Sequence, residues 1–459
     1  MCGLSAFFDL CKRPLHSGSP PKSDKDEERE RLLERLDRSV ESRRYRGPDA
    51  KGTWIAPDNN VGLGHVRLCT RDLSSAGTQP LHSSNEAEDI HVVVNGELYY
   101  DTSLRKSLEQ EYTFQSTSDS EILIPLYKRY GTAFTHHLRG EFSLVLYDGK
   151  TQILVAARDR FGVKPLHYGR LLVATQCKGI VQLLANPESL QWDVQCLAQG
   201  GGHYGSRTLI EGIRKFPPGH ILVVRADQAM EAPLVIQPYF RTNYTANKGG
   251  LDSRPAEELV TELRSRLLEA VRLRIVGSDV PVGVLLSGGV DSSAVAGMAA
   301  HVSKQRLAAN NGNALALPTC FTIGFPADDD LDESAIARRT AEHLGLPFEK
   351  LVVTEQILAD EFDEACWLGE TLMWDLQHIA KKALSKHIAS RGLKVVLNGD
   401  GSDELFGGYS HFVADRLLAD DERRVASLQS VNSVQRERLQ QDYPQAWFGQ
   451  ENKDFDENG

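Results

Sequence analysis

Nowhere in these 459 residues do about eighteen apolar residues run together, and the opening MCGLSAFFDLCKRPLHSG has neither a basic head nor a long apolar core. Neither a membrane span nor a secretory leader is expected, and the chain reads as soluble and cytoplasmic. Cysteine is sparse and unpatterned. Cys2, Cys11, Cys69, Cys177, Cys196, Cys320 and Cys366 show no CxxC spacing and are odd in number, which fits reduced thiols better than a disulfide framework or a zinc site. Positive charge is also short: 52 Lys and Arg against 63 Asp and Glu give a formal charge of −11, so neither nucleic acid nor an anionic membrane is expected as a main partner. There is no internal repeat. What remains is ordinary globular material, 41% apolar and 25% charged, long enough for roughly two to four domains.

The first two hundred residues read as short strands between turns: Leu4–Phe8, Val61–Leu68, Ile90–Asn95, Glu141–Tyr147, Ile153–Ala157 and Leu171–Thr175. Two stretches have helical spacing: Glu27–Arg43, with Leu32, Leu33, Leu36 and Val40 on one face, and Ser120–Tyr130. Arg13–Asp26 is polar and reads as a solvated loop; Arg241–Pro255 reads as a linker. Beyond it the pattern changes to helix Ala256–Ile275, strand Val280–Leu286, helix Ser292–Ser303, strand Thr319–Ile323, helix Glu333–Leu344, helix Ile379–Ser390 and strand Lys394–Leu397. Strands too apolar to have a wet face, alternating with helices, predict a doubly wound parallel sheet.

Two features carry chemistry. Cys2 follows the initiator Met1, so removal of the methionine would leave a thiol and a free α-amino group on one residue. With an ordinary pKa near 8, that amine is a suitable general base for the thiol. Attack on an amide also needs oxyanion donors, and Asn95-Gly96-Glu97 at the end of an apolar strand offers a side-chain amide beside a glycine N–H, although Asn-Gly alone is more often a hairpin turn. Arg67 and Asp119 supply one cation and one anion for the two ends of an amino acid; Ser118 or Asp119 could equally cap the following helix.

The second feature is Ser287-Gly288-Gly289-Val290-Asp291-Ser292-Ser293 between an apolar strand and a helix. Its successive N–H groups and the helix start behind them make an anion nest, and the missing lysine separates it from G-x-x-x-x-G-K-[ST]. A second strand, Lys394–Leu397, runs into Asn398-Gly399-Asp400-Gly401-Ser402-Asp403-Glu404. In a doubly wound sheet both loops open on one crevice, bringing Asp291 and Asp403 together as hard oxygen ligands for magnesium on a triphosphate, with Asp400 and Glu404 as further candidates. Asp328-Asp329-Asp330 reads as a solvated loop.

The N-terminal blocks Met1-Cys2-Gly3, Arg46-Gly47-Pro48-Asp49, His65-Val66-Arg67-Leu68 with Gly77–Leu81, Asn95-Gly96-Glu97, Ser118–Glu121, Arg158–Gly162 with Lys164-Pro165-Leu166, and Pro217-Pro218-Gly219 resemble the class II glutamine amidotransferases. That resemblance implies an Ntn-type αββα sandwich over 2–225. It gives Cys2 the attack on the glutamine amide, Asn95 and Gly96 the oxyanion, Arg67 the α-carboxylate, Asp119 the α-ammonium, and Glu97 a place in the same site. The glycine loops resemble those of ATP-pyrophosphatases, and the combination resembles the asparagine synthetase family, supported by Phe321–Phe325 and Asp332–Gly345. The family implies ATP and Mg2+. Leu285 and Ile323 would flank adenine, Ser287, Gly288, Gly289, Asp291, Ser292 and Gly399 would bind the phosphates, Asp291 and Asp403 the metal, and Asp400 would stand beside the acyl-adenylate. Glutamine and a small carboxylate acceptor, aspartate first, are the implied partners; a homodimer stays open.

The match then stops. Residues 226–255 read as the connection and 256–459 as a synthetase-like part incomplete at its C-terminus, because an Arg-rich stretch, a Pro-Phe-Leu-Asp motif and a lysine expected after Tyr409 are missing from the acidic and amide-rich tail His411–Gly459. Glu370–Gln377 also lacks the small residues and proline expected of an aspartate pocket. Amidation of another carboxylate and a glutaminase joined to an inactive synthetase half therefore stand beside asparagine synthesis.

Overall fold

The computed structural model describes residues 2–8, 22–100, 102–201, 205–225, 234–242, 252, 254–309, 316–326, 332–373 and 375–409. Two six-stranded antiparallel sheets build the N-terminal part. The first is ordered Arg214–Lys215, His167–Gly169, Leu172–Ala174, Gly3–Phe8, Val61–Arg67, Ala50–Ile55; the second is Ile236–Pro238, His220–Arg225, Ile153–Arg158, Gly140–Asp148, Ile90–Leu98, Leu81–His82. Alternation along the strands explains the layering. Leu4, Ala6 and Phe8 join Leu63, Val93, Val145 and Leu154 in the core between the sheets. Phe7, on the opposite face of its strand, packs with Leu36 and Leu183 from the helices Lys22–Glu41 and Cys177–Leu183. On the far side Val92, Val94 and Leu144 bury Leu108, Leu123, Leu126 and Phe134. The layers are thus αββα, and each fully buried Leu or Phe contributes about 1.5–3 kcal/mol.

The C-terminal part is a parallel sheet ordered Phe348–Val352, Thr319–Gly324, Val282–Leu285, Val395–Leu397. In chain order this is three-two-one-four, so the winding reverses between Val282–Leu285 and Val395–Leu397. Both faces are covered. Val282, Val284 and Cys320 pack under the helices Ala256–Val276, Val290–Ala309 and Ser334–Leu344, whereas Phe321, Leu285 and Ile323 turn the other way onto Leu384 and Ile388 of the helix Gln377–Ser390.

Several expectations shift. The first helix starts at Lys22, inside the stretch read as a loop, and an acidic and basic run with Leu every third or fourth position continues it inward. Asp119–Ile122 forms a 3-10 turn before the α-helix Leu123–Tyr130, and Ser118, not Asp119, caps it by accepting the Ser120 N–H at 3.3 Å. The span read as a connection holds Ile236–Pro238, an edge strand paired with His220–Leu222. Residues 13–21, the triplet 328–330 and the tail 411–459 lie outside the described residues. Cys2, Cys69, Cys177, Cys196, Cys320 and Cys366 are free thiols, while Cys11 is not described. Among the described residues no helix is long and apolar enough to cross a membrane.

Candidate active sites

Register places the nucleophile. Gly3 pairs with Val66 across the first sheet, which brings Cys2 against Leu68: the Leu68 N–H donates to Cys2 Sγ at 3.3 Å and the thiol faces the Leu68 carbonyl at 3.8 Å. Arg46 Nε holds the Cys2 carbonyl at 2.9 Å. Burial pushes the thiol pKa up, so the resting sulfur stays protonated until a base removes the proton. His65 Nε2 contacts the Val94 carbonyl at 2.9 Å and ties this strand to Ile90–Leu98 of the other sheet. Asn95 is fully buried there; its Nδ2 donates to Ser143 Oγ at 3.3 Å and its Oδ1 has no partner. A half-turn of the amide exchanges these two atoms and presents a donor instead. Gly96 has φ of +157°, and a Cβ there would lie 2.0 Å from the Glu141 carbonyl oxygen, so no side chain fits between these paired strands.

Arg67 is buried with its guanidinium fixed: Nη1 donates to the Ser74 carbonyl at 2.7 Å, and Nη2 to the carbonyls of Arg71 at 3.1 Å and of Asp72. Rigid backbone contacts of this kind preorganise the fork for a carboxylate. Asp119 is buried beside the end of the Asn95 strand and accepts the Leu98 N–H at 2.6 Å. Burial raises its pKa, and burial together with the Asp119 charge pushes Glu97 up to about 8, although the Thr70 hydroxyl donates to Glu97. Arg71 and Lys164 act against this rise at Glu97, and Arg71 at Asp119, but burial outweighs them.

In the parallel sheet, the Ser287 loop closes on itself. Ser287 N–H donates to Ser292 Oγ at 3.1 Å, and Gly289 N–H to Ser287 Oγ at 3.1 Å. Gly288 N–H points out and donates to Glu333 Oε2 at 2.9 Å, so a carboxylate oxygen occupies an anion position of the nest. The second loop reaches the first directly. A Cβ on Gly399 would lie 2.9 Å from Ser292 N and 3.0 Å from the Asp291 carbonyl carbon and Cβ, so glycine permits the contact. Asp400 accepts from Asn398 Nδ2 at 2.8 Å, and Glu404 from the Tyr409 hydroxyl at 2.9 Å. Asp291 and Asp403 are half-exposed, and among the described residues no three His, Cys, Asp or Glu side chains gather for a metal. Leu285 and Ile323 are partly buried against Phe321 and Leu384.

The two parts meet along a polar seam that the sequence did not signal. Arg274 Nε donates to Glu141 at 3.0 Å, Lys394 Nζ to Asp49 at 2.8 Å, and the Cys177 and Lys178 N–H groups to Glu370 at 2.6 and 3.0 Å. Glu370 therefore belongs to the seam. A cavity of about 210 Å³ lies in it, lined by Arg46, His167 and Thr175 on one side and Gly369, Glu370 and Thr371 on the other.

Comparison with known proteins finds two families along the chain. Residues 19–239 match the glutamine amidotransferase domain family and residues 262–455 the asparagine synthase family. Amidase chry2 of Gibberella zeae is 42% identical over 92% of this chain and 61% of its own length. Amidase chyE of Penicillium rubens is 41% identical over 98% of this chain and 65% of its own. The glutamine-hydrolysing asparagine synthetase B of Escherichia coli is 31% identical over 90% of this chain and 65% of its own. The chain thus spans less than two thirds of the length of these relatives.

Proposed function

Because this chain belongs to the asparagine synthetase family, with a glutamine amidotransferase domain ahead of an asparagine synthase domain, we propose that it is a glutamine-dependent amide ligase. In this reading the α-amino group of Cys2 takes the thiol proton and Sγ attacks the side-chain amide carbon of glutamine. Asn95 and the Gly96 N–H stabilise the oxyanion, Arg67 grips the α-carboxylate, and Asp119 with Glu97 the α-ammonium. The proton passes to the leaving nitrogen, ammonia departs, and water frees glutamate from the thioester.

In the second half, the Ser287–Ser292 loop holds the phosphates of ATP, with Leu285 and Ile323 toward the base and Asp400 beside the reacting carboxylate. The acceptor carboxylate displaces pyrophosphate, and ammonia then displaces AMP to give the amide. Glu333 already fills one anion position of the nest, which supports the fit to phosphate. Asp291 and Asp403 would hold Mg2+, which supplies neutralisation of phosphate charge. Ammonia passing between the sites inside the protein would escape protonation and loss. We divide the chain for this purpose into 2–225 with the edge strand Ile236–Pro238 paired back onto it, a connection through the rest of 226–255, and 256–459.

The observation that carries this reading is the packing of Gly399 on Asp291 and Ser292, because it makes one mouth of two loops at the point where the sheet winding reverses. Aspartate is the family acceptor. Greater identity to two proteins named amidases than to the synthetase favours a second reading, amidation of a different small carboxylate. Pyrophosphate release with ATP, magnesium and glutamine, scanned over aspartate and other small carboxylates, tests both. Release dependent on one acceptor identifies it; glutamate without pyrophosphate under any acceptor refutes the ligase.

A further inference from the structure

The strands that end in the two nucleotide loops begin on the wall of the glutamine site. The segment Leu68–Ser74 forms that wall. On one side it clasps the glutaminase groups: the Leu68 N–H lies on Cys2 Sγ, the Thr70 hydroxyl on Glu97, and the carbonyls of Arg71, Asp72 and Ser74 on Arg67. Asp72 Oδ2 also accepts the Thr117 N–H at 2.8 Å, just before Asp119. On its other side the same segment is held by the parallel sheet. Asp279 N–H donates to the Thr70 carbonyl at 2.9 Å, and Asp279 Oδ2 accepts the Asp72 N–H at 2.9 Å. Lys394 Nζ lies 3.4 Å from the Cys69 carbonyl and 2.8 Å from Asp49 Oδ2, the oxygen that accepts the Cys69 N–H at 2.6 Å.

Asp279 and Lys394 stand at equivalent places. Each comes just before one of two neighbouring parallel strands, Val282–Leu285 and Val395–Leu397, which pair in register at Val282 and Val395. The far ends of those strands run into the Ser287 and Asn398 loops. A four-residue strand spans only about 13 Å, so a shift at either loop has a short, hydrogen-bonded strut to travel along. The segment it reaches is conformationally taut: Asp72 sits at φ +54°, a left-handed backbone held by contacts from both sides.

We propose that Leu68–Asp72 couples the two sites, with Asp279 and Lys394 as positioning residues through which ATP at the strand ends sets glutamine turnover at Cys2. This rests on the glutamine and ATP chemistry proposed above. The part of this coupling that acts on binding is reciprocal, so glutamine changes ATP affinity by the factor by which ATP changes glutamine affinity.

The test measures kcat and KM for glutamate formation by the full chain, with and without ATP and magnesium, in parallel with ATP binding by calorimetry. In the native chain ATP changes kcat/KM for glutamine about fivefold or more, within the usual range of site coupling. Lys394→Met and Asp279→Asn each reduce that response below about twofold while ATP still binds, and Lys394→Arg keeps it. In a Cys2→Ala background, glutamine shifts ATP affinity, and adding Lys394→Met removes the shift. An ATP response that survives both Lys394→Met and Asp279→Asn overturns the coupling, as does native glutamine turnover indifferent to bound ATP. A native chain that makes no glutamate or binds no ATP overturns the functional reading itself.

Discussion

Glutamine binding should release a proton. Glu97 is held protonated by burial and by the neighbouring Asp119 charge, with its pKa pushed up to about 8. At pH 7 about 0.9 of such a group carries its proton, and at pH 8 about 0.5. An α-ammonium seated on the pair favours the ionised form, so binding at pH 7 expels close to one proton. The ionised fraction grows from about 0.1 to 0.5 over that unit, so glutamine should bind roughly fivefold tighter at pH 8, about 1 kcal/mol. Calorimetry on Cys2→Ala, which binds without turnover, in buffers of different ionisation enthalpy reads the proton directly. Glu97→Gln should release none and bind with flat pH dependence. The same shift acts on folding. Unfolded, Glu97 ionises near 4.5, so between there and about pH 8 the folded state binds the extra proton and stability falls as pH rises, by at most about 1.4 kcal/mol per unit. Binding without proton release in the native site, or release that persists in Glu97→Gln, refutes the acidic-pair argument.

Cys2→Ala should abolish glutamate production yet leave amide synthesis from added ammonia, assayed as AMP formed with each nitrogen source; loss of both contradicts two separate sites. Gly399→Ala forces a methyl against Ser292 N and Asp291 backbone, which cannot swing away as a flexible side chain would. It should cost about 1–3 kcal/mol of stability and at least about tenfold in pyrophosphate release, with glutaminase turnover retained.

Much of this was legible in the sequence because it is periodic or glycine-marked. Apolar strands such as Val282–Leu285 announced a sheet covered on both faces, and the two glycine loops marked the strand ends where Gly399 meets Asp291 and Ser292. Elements with diluted patterns escaped. Ala50–Ile55 holds Lys51 and Gly52 yet pairs along its whole length with Val61–Arg67, and Phe348–Val352 is an edge strand with Glu349 and Lys350 partly exposed. Tertiary pairing overrides weak propensity there. Arg67 and Asp119 stood out in the sequence as one cation and one anion, whereas Thr70, Asp72, Asp279 and Lys394 did not, since each bonds across a long sequence separation and bears no local signature. Glu370, in the stretch whose composition did not suit an aspartate pocket, accepts the Cys177 and Lys178 N–H groups across the seam, a contact that no local pattern announces.

In the proposed reaction nitrogen passes from glutamine at Cys2 to a carboxylate activated in the same chain. Glutamine labelled with heavy nitrogen in its side-chain amide, incubated with ATP, magnesium, the accepted carboxylate and an excess of unlabelled ammonia, tests it by mass spectrometry of the product. The amide should be labelled far above the fraction that mixing with free ammonia would give; an amide at the mixed fraction, or no amide at all, would contradict this transfer.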